Sequence, residues 1–176
     1  MNILVLNGSP RPKGSTKQLV EAFRAGALSA GHTVNVVDVC QKQISGCLAC
    51  EYCHTKGQGQ CIQKDDMQEI YTLLSKAQML VLASPIYYHG FSGQLKCVID
   101  RLYAAAYPAK PPHLQKAALI LSSGDPHMYA GALFSYQGDF IDYLGLTDMG
   151  VFTACGAENG SPEKTSALYD FGASLT

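Results

Sequence analysis

The chain has 176 residues, 47% of them hydrophobic and 15% charged, with a net charge of -1. That length fits one domain with a full core. The near-neutral balance, without any Lys/Arg run, argues against nucleic acid or an anionic membrane as partner, and no apolar run reaches membrane-spanning length.

In chain order, apolar strand-like runs alternate with helical patterns. Ile3–Leu6 reads as a buried strand ended by Asn7-Gly8-Ser9-Pro10. No basic segment or cleavage site precedes it, which predicts a cytoplasmic protein without a secretory leader. The seven cysteines are then expected to be reduced thiols or metal ligands rather than disulfides. Ser15 is placed to cap a helix to about Ala30, with Leu19, Val20 and Phe23 at the apolar spacing. Gly31-His32 stops it, and Val34–Val39 is the second strand. Cys40 to Lys64 has weak periodicity and carries five of the seven cysteines, a Cys-rich insertion in the single domain 1–176. Asp65 or Asp66 opens a helix through Ile70, Leu73 and Leu74, and Met79–Ala83 is the third strand. A helix follows from about Ser92 to Ala105, then a fourth strand at Ala117–Leu121. Leu133–Leu144 is a helix and Asp148–Cys155 a fifth strand. Ser161-Pro162 starts a last short helix, with Ser as cap and Pro at its first position.

Alternating β and α with near-continuous apolar strands implies a parallel sheet covered on both faces. Five strands predict the doubly wound, flavodoxin-like order 2-1-3-4-5, with ligands at the carboxyl ends near the switch point.

Three loops fall at that edge. The first, Gly8 to Thr16, places Ser9, Arg11, Gly14, Ser15 and Thr16 at a helix N-terminus, a ready anion site. It is neither a dinucleotide glycine fingerprint nor a Walker A loop, so a single phosphate ester suits it better than a triphosphate. An ordinary polar turn with a Ser cap is the other reading. The second loop, Ser84 to Gly93, offers aromatic groups and backbone amides along which a flat conjugated ligand could lie, or its tyrosines pack on neighbouring helices. The third, Ser122 to Met128, adds hydroxyls and His127, to which no role is assigned. His32 and His54 read as surface residues. Asp100 and Arg101 read as an exposed helix pair, or as groups that orient the preceding loop.

Cys47, Cys50, Cys53 and Cys61 form a C-x2-C-x2-C-x7-C run. Soft thiolates at such intervals can converge on one metal centre. Iron and sulfur, zinc, and plain or labile thiols all remain open from the spacing. Cys40, Cys97 and Cys155 read as core packing.

Gly-Ser-Pro-Arg at Gly8–Arg11 with Gly14-Ser15-Thr16, then Ser84-Pro85-Ile86-Tyr87 with Gly90 and Leu95-Lys96, then Asp100-Arg101, resemble the NAD(P)H-dependent FMN reductase superfamily. The cysteine run followed by Lys64-Asp65-Asp66-Met67 is similar to its iron-sulfur flavoprotein branch. The resemblance runs from residue 1 to about 155. It implies that Ser9, Arg11, Ser15 and Thr16, with Gly14 between them, hold the FMN phosphate. It implies that Pro85, Ile86, Tyr87, Tyr88, His89 and Gly90, with Ser122, Ser123 and Gly124, contact the ring and ribityl chain, Tyr88 and His89 lying nearest the ring. It implies a 4Fe-4S cluster on Cys47, Cys50, Cys53 and Cys61, and a homodimer or homotetramer. The function it implies is electron transfer from NAD(P)H to FMN and on to a flavin, quinone or similar small acceptor. No side chain is nominated as catalytic. An electron carrier between protein partners and a thiol or metal sensor are the competing classes.

Overall fold

The runs Ile3–Leu6, Met79–Ala83 and Ala117–Leu121 are apolar at every position, and each is buried on both faces of a sheet. The structure, a computed structural model, describes residues 1–176. Its sheet has five parallel strands: β1 (Asn2–Asn7), β2 (Thr33–Asp38), β3 (Met79–Pro85), β4 (Lys116–Ser123) and β5 (Thr147–Cys155). Their order is β2-β1-β3-β4-β5, with Val5 opposite both Val36 and Val81, as the alternation predicts. The pleat sends Ile3 and Val5 to one face and Leu4 and Leu6 to the other, and each face has its own apolar core.

Five α-helices cover the sheet: α1 (Ser15–Ser29), α2 (Met67–Leu74), α3 (Gly93–Arg101), α4 (Ala130–Ser135) and α5 (Pro162–Ser174). Leu19, Val20 and Phe23 of α1 share the first core with Leu168 of α5. Residues of α2 and α3 join the second. Four details differ from expectation. Ser15 is the first helical residue and Gly14 occupies the cap, without a side-chain bond. The expected Ser92–Ala105 helix is α-helical only to Arg101 and ends in a tighter turn at Leu102–Ala104. The Leu133–Leu144 segment starts earlier and widens into a π-helix at Tyr136–Tyr143. There Tyr136 donates its hydroxyl to Asp148 of β5 at 2.8 Å, so the widened turn satisfies a buried phenol.

The last helix is longer than expected, at 13 residues, with Ser161 accepting the Lys164 N–H as its cap. Backbones touch where α1 crosses it: a Cβ on Gly26 would stand 1.9 Å from Tyr169 O, and one on Gly172 2.4 Å from Phe23 O.

Candidate functional site

β1 ends at Asn7, and the chain turns through Ser9 before α1 begins. Three short-range contacts shape that turn. The Ser9 N–H donates to Asn7 Oδ1 at 3.2 Å, the Arg11 N–H to Ser9 Oγ at 3.3 Å, and the Gly14 N–H to Arg11 O at 3.0 Å. The first amide of α1 taken up by the backbone is that of Gln18, on Gly14 O at 3.1 Å. No side chain caps the helix, and no acidic residue stands in its first turn. Free N–H groups and the positive end of the helix dipole therefore face outward. A Cβ on Gly14 would fall 2.9 Å from Arg11 Cβ and 3.3 Å from Ser9 Oγ, so a side chain would fill the hollow.

Lys17, next in line, does not compete for an anion. Both carboxylate oxygens of Asp38 hold its ammonium, at 3.0 and 2.9 Å, and Asn7 Nδ2 donates to the same carboxylate at 2.8 Å. Arg11 is then the one cation lining the cleft.

The cleft encloses ≈ 280 Å³ and brings the three predicted loops together. Ser9, Arg11, Gly14, Ser15 and Thr16 form its first side, Pro85, Ile86 and Tyr87 the second, and Ser122, Ser123 and Gly124 the third. Buried Thr16 shares a hydrogen bond with Ser122 at 2.7 Å, joining the first loop to the third across 106 residues. The Ile86 N–H donates to Ser122 O at 2.8 Å and joins the second to the third.

Tyr88, His89 and Gly90 are not in the cleft lining. Tyr87 and Gly90 exchange backbone hydrogen bonds at 3.0 Å, closing a two-residue hairpin. Tyr88 (φ 48) and His89 (φ 64) form its left-handed tip, and Tyr88 is fully exposed. Both tip residues of such a turn project away from the strands. Tyr87 holds the wall instead.

One lining residue was missed. Asn159 follows β5, and its Nδ2 donates to Ser123 O at 2.7 Å. A carbonyl only accepts, which fixes the carboxamide orientation and leaves Oδ1 buried without a partner. The signal in sequence is faint: Asn159-Gly160 before the Ser161-Pro162 cap marks a turn, not a ligand.

The hollow, the free amides, the lone cation and the hydroxyls fit a mononucleotide carrying a single phosphate. The wall from Pro85 to Tyr87 fits a flat ring.

The cysteine segment lies apart from the cleft lining. Cys47 and Cys50 are exposed, Cys53 and Cys61 half-buried. No three of them, with or without neighbouring His, Asp or Glu, gather closely enough to hold a metal ion. The donor chemistry suits a soft metal, but the arrangement does not present an assembled site. His54 is not a plain surface residue: its ring stacks on Tyr103 at 3.7 Å and lies 4.7 Å from Tyr107. His32 is half-buried and bridges the N-terminal amine, at 2.9 Å, to Leu175 O, at 3.0 Å. Cys40 packs against the second core, with its thiol on Gly8 O at 3.2 Å. Cys97, midway along α3, and Cys155, at the end of β5, are half-buried and belong to neither core.

Arg101 reverses the reading of an exposed pair. Asp100 is exposed and pairs with Lys96, whereas Arg101 is 1% exposed and forms a two-pronged bridge to Asp65. Burial raises the Asp65 carboxyl pKa, but the Arg101 hydrogen bonds and the Ser45 and Met67 amides outweigh it and hold the carboxyl below the usual 3.8. A lowered folded value stabilises above pH 3.8, and that stability is lost as the pH falls through the folded value. Urea unfolding from pH 5 downward should therefore show a steeper acid loss in the wild type than in Asp65→Asn. Identical slopes would disprove the linkage.

A doubly wound sheet with a monophosphate-and-ring cleft at its carboxyl edge defines a mononucleotide-binding α/β protein. Residues 1–159 match the NADPH-dependent FMN reductase family, and the chain belongs to it. Among characterised relatives, one iron-sulfur flavoprotein of Archaeoglobus fulgidus is 28% identical over 162 residues, covering 91% of this chain and 71% of that protein. A second from the same organism is 39% identical over 108 residues, covering 60% of this chain and 54% of that one. This chain thus spans only about half the length of most such relatives. The NAD(P)H:quinone oxidoreductase from Methanothermobacter marburgensis has the same fold, with a TM-score of 0.73 at 21% identity, covering 97% of this chain and 92% of its own. No helix is long and apolar enough to cross a membrane.

Proposed function

We propose that the chain binds FMN in the cleft, takes electrons from NAD(P)H and passes them to a quinone, a flavin or a similar small acceptor. The observation that carries this is the uncapped N-terminus of α1, lined by Ser9, Arg11 and Ser15 and facing Pro85–Tyr87 across one cleft. FMN, when bound, supplies the hydride and electron chemistry at its ring. The chain's own part is placement. Ser9, Arg11, Ser15 and Thr16 hold the phosphate, Ser122–Gly124 and Asn159 line the ribityl side, and Tyr87 covers one flank of the ring. Tyr88, His89 and Gly90 act at the rim, where the nicotinamide and the acceptor arrive.

Cys47, Cys50, Cys53 and Cys61 are read as ligands of a second, thiophilic centre that closes only around its metal. The spacing and the iron-sulfur names of the relatives support that reading.

Anaerobic purification followed by flavin extraction, metal analysis and turnover with NADH or NADPH and a quinone tests the reading. Bound FMN and steady turnover are expected. Absence of FMN binding on titration would overturn it, and reduction solely by a small iron-sulfur protein would favour the carrier. About four iron per chain is expected for the cluster type, against one zinc for the alternative.

We also propose self-association. Tyr88 at the hairpin tip is fully exposed, Phe134 is 83% and Tyr143 71% exposed, and an apolar groove of ≈ 190 Å³ runs between Ile99, Leu102 and Phe140. Light scattering at micromolar concentration should give a multiple of 18.9 kDa, and the monomer mass would refute this.

A further inference from the structure

We propose that Arg101 is the positioning residue of the four-cysteine segment. Its buried guanidinium pins the two ends of that segment together, and with them Cys47 and half-buried Cys61, so that the run can close around a thiophilic metal. The metal part rests on reading those cysteines as ligands, and the pinning does not.

A charged side chain buried to 1% exposure is tolerated only with a strong counter-charge and hydrogen bonds. Arg101 Nη1 donates to Asp65 Oδ2 at 2.8 Å and to Ser45 O at 2.9 Å, and Nη2 to Asp65 Oδ1 at 3.0 Å. Ser45 precedes the first cysteine of the run and Asp65 follows the last. The Ser45 N–H returns to Asp65 Oδ2 at 3.2 Å. Beside it the Gln43 N–H donates to Asp66 Oδ2 at 2.8 Å, the Asp66 N–H to Gln43 O at 3.2 Å, and Gln63 Nε2 to Gly46 O at 3.1 Å. The chain at 43–46 is thus laced to 63–66 as a base, and the residues between have a second anchor on Tyr103, whose carbonyl accepts from His54 Nε2 at 2.8 Å and whose hydroxyl donates to Glu51 at 3.1 Å. Only a planar fork reaches both oxygens of Asp65 and the Ser45 carbonyl together.

Cys61, half-buried, stands two residues before Gln63 of that base, and Cys47 directly follows Gly46 on its other side. Tyr71 donates its hydroxyl to Arg101 O at 2.8 Å and closes that side. Arg101 Nε has no partner in the protein, so a donor is spare on the same buried group. Cys50 and Cys53 lie farther out, on an arm with left-handed turns at Ala49, Glu51 and Gln58, and the Ala49 N–H donates to Cys47 Sγ at 3.4 Å. A tethered base and a wrapped arm explain why the thiols are near in sequence yet not gathered.

Two variants test this. Arg101→Lys keeps the charge and loses the fork, and Asp65→Ala removes the partner. FMN titration reports whether each folds, since neither residue lines the cleft. Metal-free protein is labelled with N-ethylmaleimide and each cysteine followed by peptide mass spectrometry. Cys61 labelling should rise about tenfold or more in both variants, the scale of one lost charged hydrogen bond, with exposed Cys47 and Cys50 unchanged. Reconstitution with ferrous iron and sulfide, then a chelator challenge, reads the metal: the variants should release iron at least about tenfold faster than the wild type. Unchanged Cys61 labelling overturns the pinning. Equal iron retention in wild type and variants overturns the role of Arg101 in metal capture and leaves the ligand reading standing. Iron retained by none, wild type included, overturns the ligand reading, while labelling still decides the pinning. Amide exchange on the unsubstituted protein needs no variant: slow exchange at Ser45 and Asp66 is expected, and fast exchange at the base overturns the pinning.

Discussion

Replacing Arg11 and Ser15 together by alanine is expected to weaken FMN binding by roughly a hundredfold or more. Each hydrogen bond to a charged phosphate is worth about 1.5–3 kcal/mol, and about 1.4 kcal/mol is a factor of ten. Arg11 is exposed, so solvent screens part of its share and the lower end of that range applies. Residual binding should persist, because the free amides and dipole of α1 remain after both side chains are gone. The double variant should also bind FMN with a weaker salt dependence, since Arg11 is the one cation lining the cleft. Thr16 is a poorer target: it is buried against Ser122, and its removal would disturb the loops as well as the ligand. Flavin fluorescence quenching measures the change. Equal affinity in wild type and variant would remove the phosphate assignment.

The second large effect is on stability. Gly26→Val should lower stability by about 3 kcal/mol or more, because overpacking against fixed atoms usually costs about 1–3 kcal/mol and the neighbour here is backbone. The added Cβ would meet Tyr169 O at 1.9 Å, with the Tyr169 carbonyl carbon at 2.8 Å. Neither can rotate away, so α1 and α5 must separate and the core between Phe23 and Leu168 must open. Helix propensity pulls the other way by only about 1 kcal/mol for Gly→Ala, and the clash wins. A fall in Tm of roughly 6–12 °C follows for a domain of this size. Gly93→Ala supplies the contrast: nothing stands within 4 Å of its Cβ, so thermal unfolding should change little. Equal melting of Gly26→Val and wild type would mean that the two helices do not pack backbone to backbone.

The Arg101–Asp65 bridge joins two segments whose motifs are legible separately. Lys64-Asp65-Asp66-Met67 and Asp100-Arg101 each stand out in sequence, but their contact spans 36 residues and depends on α3 packing beside the end of the cysteine segment. Helical spacing does not reveal it. Asp100 and Arg101 are adjacent, yet a turn of 100° per residue sends one to solvent and the other inward.

The sequence by itself determined the strand and helix alternation, the sheet order and the place of the Ser9–Thr16 loop. These follow from local pattern: apolar runs too continuous for a half-exposed strand, and a strand end joined directly to a helix start, so that Ser9 to Thr16 must lie at a helix N-terminus. The tertiary structure alone decided the rest. Tyr88 and His89 turn outward because a two-residue hairpin closes on Tyr87 and Gly90, and no glycine at the tip announces that turn. Asn159 reaches the cleft because β5 lies beside β4, a neighbour 36 residues away from Ser123 in the chain. The cysteines keep their metal-like spacing without converging, because spacing fixes how far thiols can be apart and not where the backbone between them points. Local chemistry is written along the chain, whereas the partner of each polar group is set by which elements the crossovers bring together.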